Sequence, residues 1–359
     1  MNNESIMKYL LSPHKSKIIK LILLLVSMVY FLIIKLKEFL YKTKILQQKR
    51  LPCKVISLGN ITTGGTGKTP LTKFIAESLQ DKKVGILIRG YKRKSNDKII
   101  VVRDNLTPAY VGDEPYFLAK ELPLVPVFVC LDRYAGGKFA LDRFKTEILI
   151  LDDGFQRRLS LYRDIDIVVI DATNPFGNGY LIPRGILRER IENLKEADIF
   201  FLTKVDGVEN IKDLIKQLKE INDKVLIVES VYEPVELHDL FNWDEKYNIN
   251  ELKDKKILAL SGIGNPSYFE KIVFKLGTKE VHPLRFLDHH NYTKEDVVFI
   301  NKEASRFDYV ITTQKDSVKL SDSASDSLIK KILVLKIKIK IIKGEKEFFE
   351  IINCHEKNK

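Results

Sequence analysis

The stretch Thr62-Thr63-Gly64-Gly65-Thr66-Gly67-Lys68-Thr69-Pro70 follows an apolar run and opens a helical pattern, the setting in which a glycine-rich turn binds phosphate. Backbone N–H groups at such a helix start point at phosphate oxygens, Lys68 would neutralise β/γ charge, and the Thr69 hydroxyl could hold Mg2+. Pro70 fits because a first-turn N–H has no intrahelical partner to lose. The usual opening glycine is missing, with Thr62 in its place, so Gly64 and Gly65 are expected to supply the tight turn.

Asp152 and Asp153 end the run ILILDD, where a parallel sheet presents its ligand-binding edge, and one of them can hold Mg2+ directly or through water. A helix-capping pair is the structural alternative. Asp113 and Glu114 stand just before Pro115 and, taken alone, suit a helix cap as well as a catalytic role. Asp288, His289 and His290 form a group in which a carboxylate would fix a histidine's tautomer, or else a solvated loop. Arg184, Arg188, Glu189 and Arg190 follow a Gly/Pro/Asn-rich stretch, and Arg89, Lys92, Arg93 and Lys94 follow a strand. Both clusters are candidates to face an anion.

These residues need a frame. The runs KVISLG, VGILIR, VPVFVC, EILILDD, DIVVIDA and DIFFLTK read as buried strands of a mostly parallel sheet, and TPLTKFIAESLQ and RYAGGKFALDRF carry helical spacing between them. That is the βαβ rhythm of an α/β, P-loop NTPase-like doubly wound fold. A second series, KILALSGIGNP, KEDVVFINKEAS, DYVITTQKD and the alternating KILVLKIKIKI, predicts a smaller α/β unit. The polar stretch ESVYEPVELHDLFNWDEKYNINEL between the two reads as an irregular connection. The chain therefore divides into an N-terminal membrane-associated apolar helix with basic linker (1–50), a P-loop domain (51–240) and a smaller α/β domain (241–359). The Ser/Asp-rich SDSASDS reads as a surface loop.

The chain has 359 residues, of which 45% are hydrophobic, and a net charge of +12, which calls for an anionic partner without saying which. Cys53, Cys130 and Cys354 are far apart and odd in number, so neither a disulfide framework nor a zinc site is indicated. Leu21 to Ile34 is an uncharged apolar run flanked by Lys15, Lys17 and Lys20 before it and by Lys35, Lys37, Lys42 and Lys44 after it. It is shorter than the about 20 residues that cross a bilayer, and no signal-peptide cleavage site follows. With snorkelling lysines it would lie in one leaflet or make a thin crossing against anionic headgroups, and a buried helix is the soluble alternative.

Taken in order, GGTGKTP, RGY, DEP, DDGFQ, LRE, SGIGNP and DHH resemble the tetraacyldisaccharide 4'-kinase family of lipid A biosynthesis, over essentially the whole chain. The resemblance implies a kinase in which ATP phosphorylates the 4'-hydroxyl of an acylated glucosamine disaccharide 1-phosphate. It places that kinase at the cytoplasmic face of the bacterial inner membrane, with no nucleic-acid partner. By matching motifs, residues Thr62 to Thr69 form the nucleotide loop, and Lys68 and Thr69 take the phosphate and Mg2+ roles. Asp113 accepts the hydroxyl proton with help from His289. Glu114, Asp152 and Asp153 surround the metal, and Arg188 with Glu189 lies near the reacting groups. Gln314 departs from the pattern, which has Glu before Lys-Asp, and the extension before Lys20 is longer than the family leads one to expect.

Two other classes compete. A GTPase-type switch draws on Thr203, Lys204 and Asp206, a [NT]KxD-like motif, but Leu151 stands where its DxxG element needs Asp. A basic ATP-dependent nucleic-acid or membrane adaptor predicts aromatic residues interleaved with the basic clusters, and only Tyr91 serves.

Overall fold

The computed structural model describes residues 17–324, apart from 92 and 104, and 332–354, with the backbone alone at 157 and 321–324. Lys15, Lys92 and Ser325 to Ser327 of the Ser/Asp-rich stretch thus lie outside the described residues.

The six apolar runs form β1 (Lys54–Gly59), β2 (Val84–Ile88), β4 (Val127–Cys130), β5 (Ile148–Asp152), β6 (Ile165–Asp171) and β7 (Ile199–Thr203). A short β3 (Ile99–Val101) lies antiparallel to β4 at the edge. β1 pairs in parallel with β5 on one side and β6 on the other, so the chain leaving it enters a crevice between diverging connections. Open α/β sheets bind ligands at such a switch point. Helices α2 (Lys68–Ser78), α3 (Pro108–Val111), α4 (Asp113–Glu121), α5 (Arg133–Phe144) and α6 (Ile211–Ile221) cover the two faces.

The sheet does not end there. The first part of the stretch expected to be irregular lies in β8 (Leu226–Asp239), which pairs in parallel with β7 and antiparallel with β13 (Ile332–Lys343), while a short β9 (Lys246–Tyr247) pairs with β8. The correction has an electrostatic reason. Glu233 and Glu236 are interrupted charges within β8, but across the ladder they meet Lys338, Lys340 and Lys336. The pairing energy sits in the partner strand, where local reading does not look. Beyond β13 lie β12 (Tyr309–Thr313), β10 (Lys256–Ser261) and β11 (Glu280–Arg285), all parallel, with α7 (Pro266–Lys275), α8 (Lys294–Ala304) and α9 (Gln314–Ala324) between the strands. α9 takes in Ser321 to Ala324, so the start of the expected surface loop is helical. The hydrogen bonding begun at Gln314 outweighs the weak helix propensity of Ser and Asp. The last helix, α10 (Glu345–Asn353), returns to the first half, where Phe348 and Ile352 are fully buried among Ile56, Ile165, Ile199 and Phe201.

The N-terminal apolar run extends into α1 (Lys17–Lys42), 26 residues long, with a mean hydropathy of 2.5 in its most apolar window. It is neither buried nor free. Leu23, Ser27 and Ile34 face inward, while Leu21, Leu25, Met28, Leu32, Ile33, Leu36 and Phe39 are exposed. Polar contacts pin the inner face: Ser27 Oγ donates to Leu181 O (2.9 Å), Tyr30 Oη to Arg188 O (2.9 Å) and Lys37 Nζ to Gln156 O (2.8 Å).

Candidate active site

The loop after β1 adopts the conformation that its glycines permit. Gly64 and Gly67 have φ of 105° and 98°, the left-handed region that glycine enters at little cost. Gly67 also has no room for a Cβ, which would lie 2.0 Å from the Tyr232 hydroxyl. Thr62, where a glycine was expected, is buried in an antiparallel bridge to Leu187, and Thr63 N donates to Ile186 O (2.8 Å). Backbone pairing thus fixes the first half of the loop, and Gly64 turns the second. A facing loop closes on it, since a Cβ on Gly264 would come within 2.2 Å of Gly65 N.

Lys68 opens α2 and points back into the crevice, its Nζ 3.1 Å from Asn60 Oδ1 and 3.6 Å from Asp153 Oδ1. Arg188 grips the same Asp153 through both terminal nitrogens at 2.9 and 2.8 Å. Burial pushes the Asp153 carboxyl up, but Lys68 and Arg188 outweigh it and hold the group well below the usual carboxylate range. Asn60 was missed by the sequence reading. It donates to Thr62 O (2.8 Å) and Thr66 Oγ1 (3.1 Å), holding the loop while its own oxygen receives Lys68.

Asp152, next to this pair, is in the opposite state. It is 1% exposed, and its Oδ1 has no hydrogen-bond partner. Burial, then the nearby Glu114, push its carboxyl up to about 7, with Lys68 opposing. Glu114 Oε1 is 3.4 Å from Thr69 Oγ1. Among the described residues no three His, Cys, Asp or Glu side chains converge as a complete metal cage. Two clustered carboxylates and a hydroxyl at a phosphate loop are nonetheless what Mg2+ requires, because it takes one or two carboxylates and fills its shell with water and phosphate.

The third group comes from both halves of the chain. Asp113 and Glu114 lie in the first turn of α4 behind Gly112, which caps the helix with no side-chain bond, so the acids are not caps. Asp113 Oδ2 lies 3.3 Å from His289 Nδ1 and 2.7 Å from Lys319 Nζ. Lys315 Nζ stands 3.1 Å from both His289 Nε2 and Asp288 Oδ1. A lysine only donates, so His289 Nε2 accepts and Nδ1–H donates to Asp113. Tyr91 meets the imidazole edge-on at 5.6 Å. His289 sits at φ 58°, unusual for a non-glycine residue, where its N–H donates to Gly262 O (3.2 Å). His290 turns away to Asp296 (2.8 Å).

Several expected residues are elsewhere. Glu189 does not face the reacting groups: it is 5% exposed and bound to Arg158 and Asn193, each at 2.8 Å. Its neighbour Arg188 points the other way, and the buried Arg158, which also pairs with Glu38 of α1, needs the charge. Arg184 lies over Tyr180, and Arg190 pairs with Glu192 and Glu38. Gln314 donates to Glu121 Oε2 (3.4 Å) and accepts from Ile337 N (3.2 Å). A Glu there would face a second carboxylate. In the GTPase-like motif, Asp206 is taken by Tyr268 and Lys275, and Lys204 by Asp171 and the Gly65 carbonyl, so none of it waits for a base. Beside Asp153 a cleft of about 150 Å3 is lined by Lys37, Arg89, Arg133 and Arg188.

A family model described as tetraacyldisaccharide-1-P 4'-kinase matches residues 19–356. The chain belongs to that family. A tetraacyldisaccharide 4'-kinase of Halothermothrix orenii is 37% identical over 358 residues, covering 94% of this chain and 93% of that one. One from Aquifex aeolicus is 36% identical over 327 residues, covering 89% and 94%. A crystal structure of LpxK from Aquifex aeolicus in complex with ATP superposes with a TM-score of 0.71 at 33% identity, covering 93% of this chain and 99% of that one. The 4'-kinase family thus spans both halves of the sheet and most of α1.

Asp152 carries a testable cost. A carboxyl raised from 3.8 to about 7 binds its proton more tightly in the folded state, so the stability it lends is present below about pH 4 and lost as pH rises through 7. Asp152→Asn is expected to raise the Tm of the nucleotide-free protein above pH 7 and to flatten its fall between pH 4 and 7. Calorimetry across that range checks this, and an unchanged pH profile would contradict it.

Proposed function

We propose that this 4'-kinase family member transfers the γ-phosphate of ATP to the 4'-hydroxyl of an acylated glucosamine disaccharide 1-phosphate, with the roles divided among the three groups described above. The observation that carries this reading is the Asp113–His289 contact, made one residue from Glu114, which meets Thr69 of the phosphate loop.

Phosphoryl transfer needs positioning and charge neutralisation more than covalent chemistry. Residues Gly64 to Thr69 cradle the triphosphate through backbone N–H groups, Thr62 and Thr63 anchor that turn to Leu187 and Ile186, and Lys68 leaves Asp153 and Asn60 for the β/γ oxygens. Thr69, Glu114 and Asp152 are the residues that would hold Mg2+, with Asp153 near by. When bound, the ion supplies charge compensation at the phosphates. The orphaned Asp152 oxygen supports this assignment. Asp113 accepts the proton of the acceptor hydroxyl, and the Nδ1–H of His289 keeps its carboxylate aimed. Arg188 holds Asp153 in place. The cationic cleft of Lys37, Arg89, Arg133 and Arg188 suits an anionic substituent of the sugar headgroup. On this reading, segments 51–240 and 241–359 act as two lobes joined through the β8–β13 ladder, and the described part of 1–50 is the membrane segment.

α1 lies in the membrane plane at the cytoplasmic face, not across the bilayer. Its polar contacts run from Ser27 to Glu38, about 17 Å of helix at 1.5 Å per residue, so a crossing would drag Leu181 to Arg190 into hydrocarbon. The exposed leucines then enter one leaflet, near the headgroup of a substrate whose acyl chains cost about 0.8 kcal/mol per CH2 to extract.

With labelled ATP and the acylated disaccharide 1-phosphate, label is expected in the lipid fraction. Lys68→Ala and Asp113→Ala should each lower transfer at least about a hundredfold, the first by lost charge neutralisation and the second by lost proton acceptance. Near wild-type turnover in either removes the role assigned to it. Replacing Leu25, Leu32 and Leu36 together by Ser should abolish co-flotation with anionic vesicles while leaving the Tm within a few degrees. Undiminished flotation would place the membrane contact elsewhere.

A further inference from the structure

Lys319 lies outside every motif that carries the kinase resemblance, yet its ammonium is the nearest cation to the proposed base. α9 presents Lys315 and Lys319 one turn apart, a spacing that puts both on one helix face. Lys315 attends Asp288 and His289. Lys319 is 6% exposed, and its Nζ lies 2.7 Å from Asp113 Oδ2 and 3.0 Å from the carbonyl of His290. An ammonium this buried is held by its partners in one place, so it acts as a fixed strut rather than a surface charge.

His289 Nδ1 and Lys319 Nζ both reach the same oxygen of Asp113, Oδ2. The two donors come from different elements: His289 from the turn after β11, Lys319 from α9 after β12. α9 is itself anchored, because Asp316 accepts from Gly262 N (3.0 Å) and Tyr292 Oη (3.1 Å), which ties its first turn to the turn that carries His289. An imidazole N–H alone, at 3.3 Å, would let the carboxylate swing about its Cβ–Cγ bond. A second donor on the same oxygen removes that freedom.

We infer that Lys319 is a positioning residue for phosphoryl transfer: bridging Asp113 Oδ2 and the His290 carbonyl, it turns Asp113 Oδ1 toward the acceptor hydroxyl and locks the His289 turn to the acid. It touches neither ATP nor the sugar, so its effect passes entirely through Asp113. A mutation that misplaces a reacting group by about 1 Å costs on the order of a hundredfold in rate, and that is the size expected here.

The inference rests on the proposed role of Asp113, and a double-mutant cycle in the full-length protein separates the two. With saturating ATP and acylated disaccharide 1-phosphate, Lys319→Met is expected to lower kcat by about ten- to a hundredfold with the KM for ATP changed less than about threefold. Lys319→Arg, which keeps charge and donors, should recover most of that loss. In an Asp113→Ala background, Lys319→Met should cost less than about twofold more, because there is no carboxylate left to aim. ATP binding by each variant, read by calorimetry, reports that the loop lobe is folded. Wild-type kcat in Lys319→Met, no recovery in Lys319→Arg, or an undiminished loss in the Asp113→Ala background would each overturn the inference. If Asp113→Ala itself left kcat intact, the reading of Asp113 as base would fail instead.

Discussion

Lys68, Asp153 and Arg188 pair with one another in a half-buried crevice, and Asp113 pairs in the same way with His289 and Lys319. Burying a lone charge costs several kcal/mol, so each of these groups fixes the place of its partners. The constraint reaches outward. Arg188 must face Asp153, which sends Glu189 the other way to Arg158, and Arg158 in turn binds Glu38 of α1. A chain of paired charges therefore links the phosphate loop to the apolar helix.

Asp152 is the exception to this pairing. Neighbours with fixed opposite charge satisfy Asp153, whereas Asp152 is left beside Glu114 with a buried oxygen and no donor. On the proposed reading, this stored like charge is what a bound Mg2+ would relieve. The glycines act to the same end on the backbone. Gly67 admits Tyr232 from β8, and Gly264 admits the loop at Gly65, so both halves of the sheet reach the same turn.

Much of this was legible in the sequence. The strands of the first half announced themselves as continuous apolar runs, because a parallel sheet buried on both faces leaves no room for alternation. The phosphate loop and its lysine could be read from residue type and local order alone. What was not legible depends on partners distant in the chain. β8 looked irregular because Glu233 and Glu236 are explained only by lysines about a hundred residues later. Asn60 gave no signal, since its role comes from the fold of the loop around it. Lys315 and Lys319 stood in no recognised motif, and both the helix that aligns them and the α4 face they meet come from the fold. The length of α1 was underestimated because Lys35 and Lys37 end the apolar run without ending the helix.

The central claim is that a single cleft joins the phosphate loop to an acid held from the other half of the sheet. A crystal structure with a non-hydrolysable ATP analogue and Mg2+ tests it most directly. The account predicts phosphates on the N–H groups of Gly64 to Thr69, the Lys68 ammonium moved from Asp153 to the β/γ oxygens, and Asp113 still within hydrogen-bond reach of His289 beside the terminal phosphate. Phosphates bound away from that loop, or Asp113 and His289 held apart with the nucleotide in place, would contradict it.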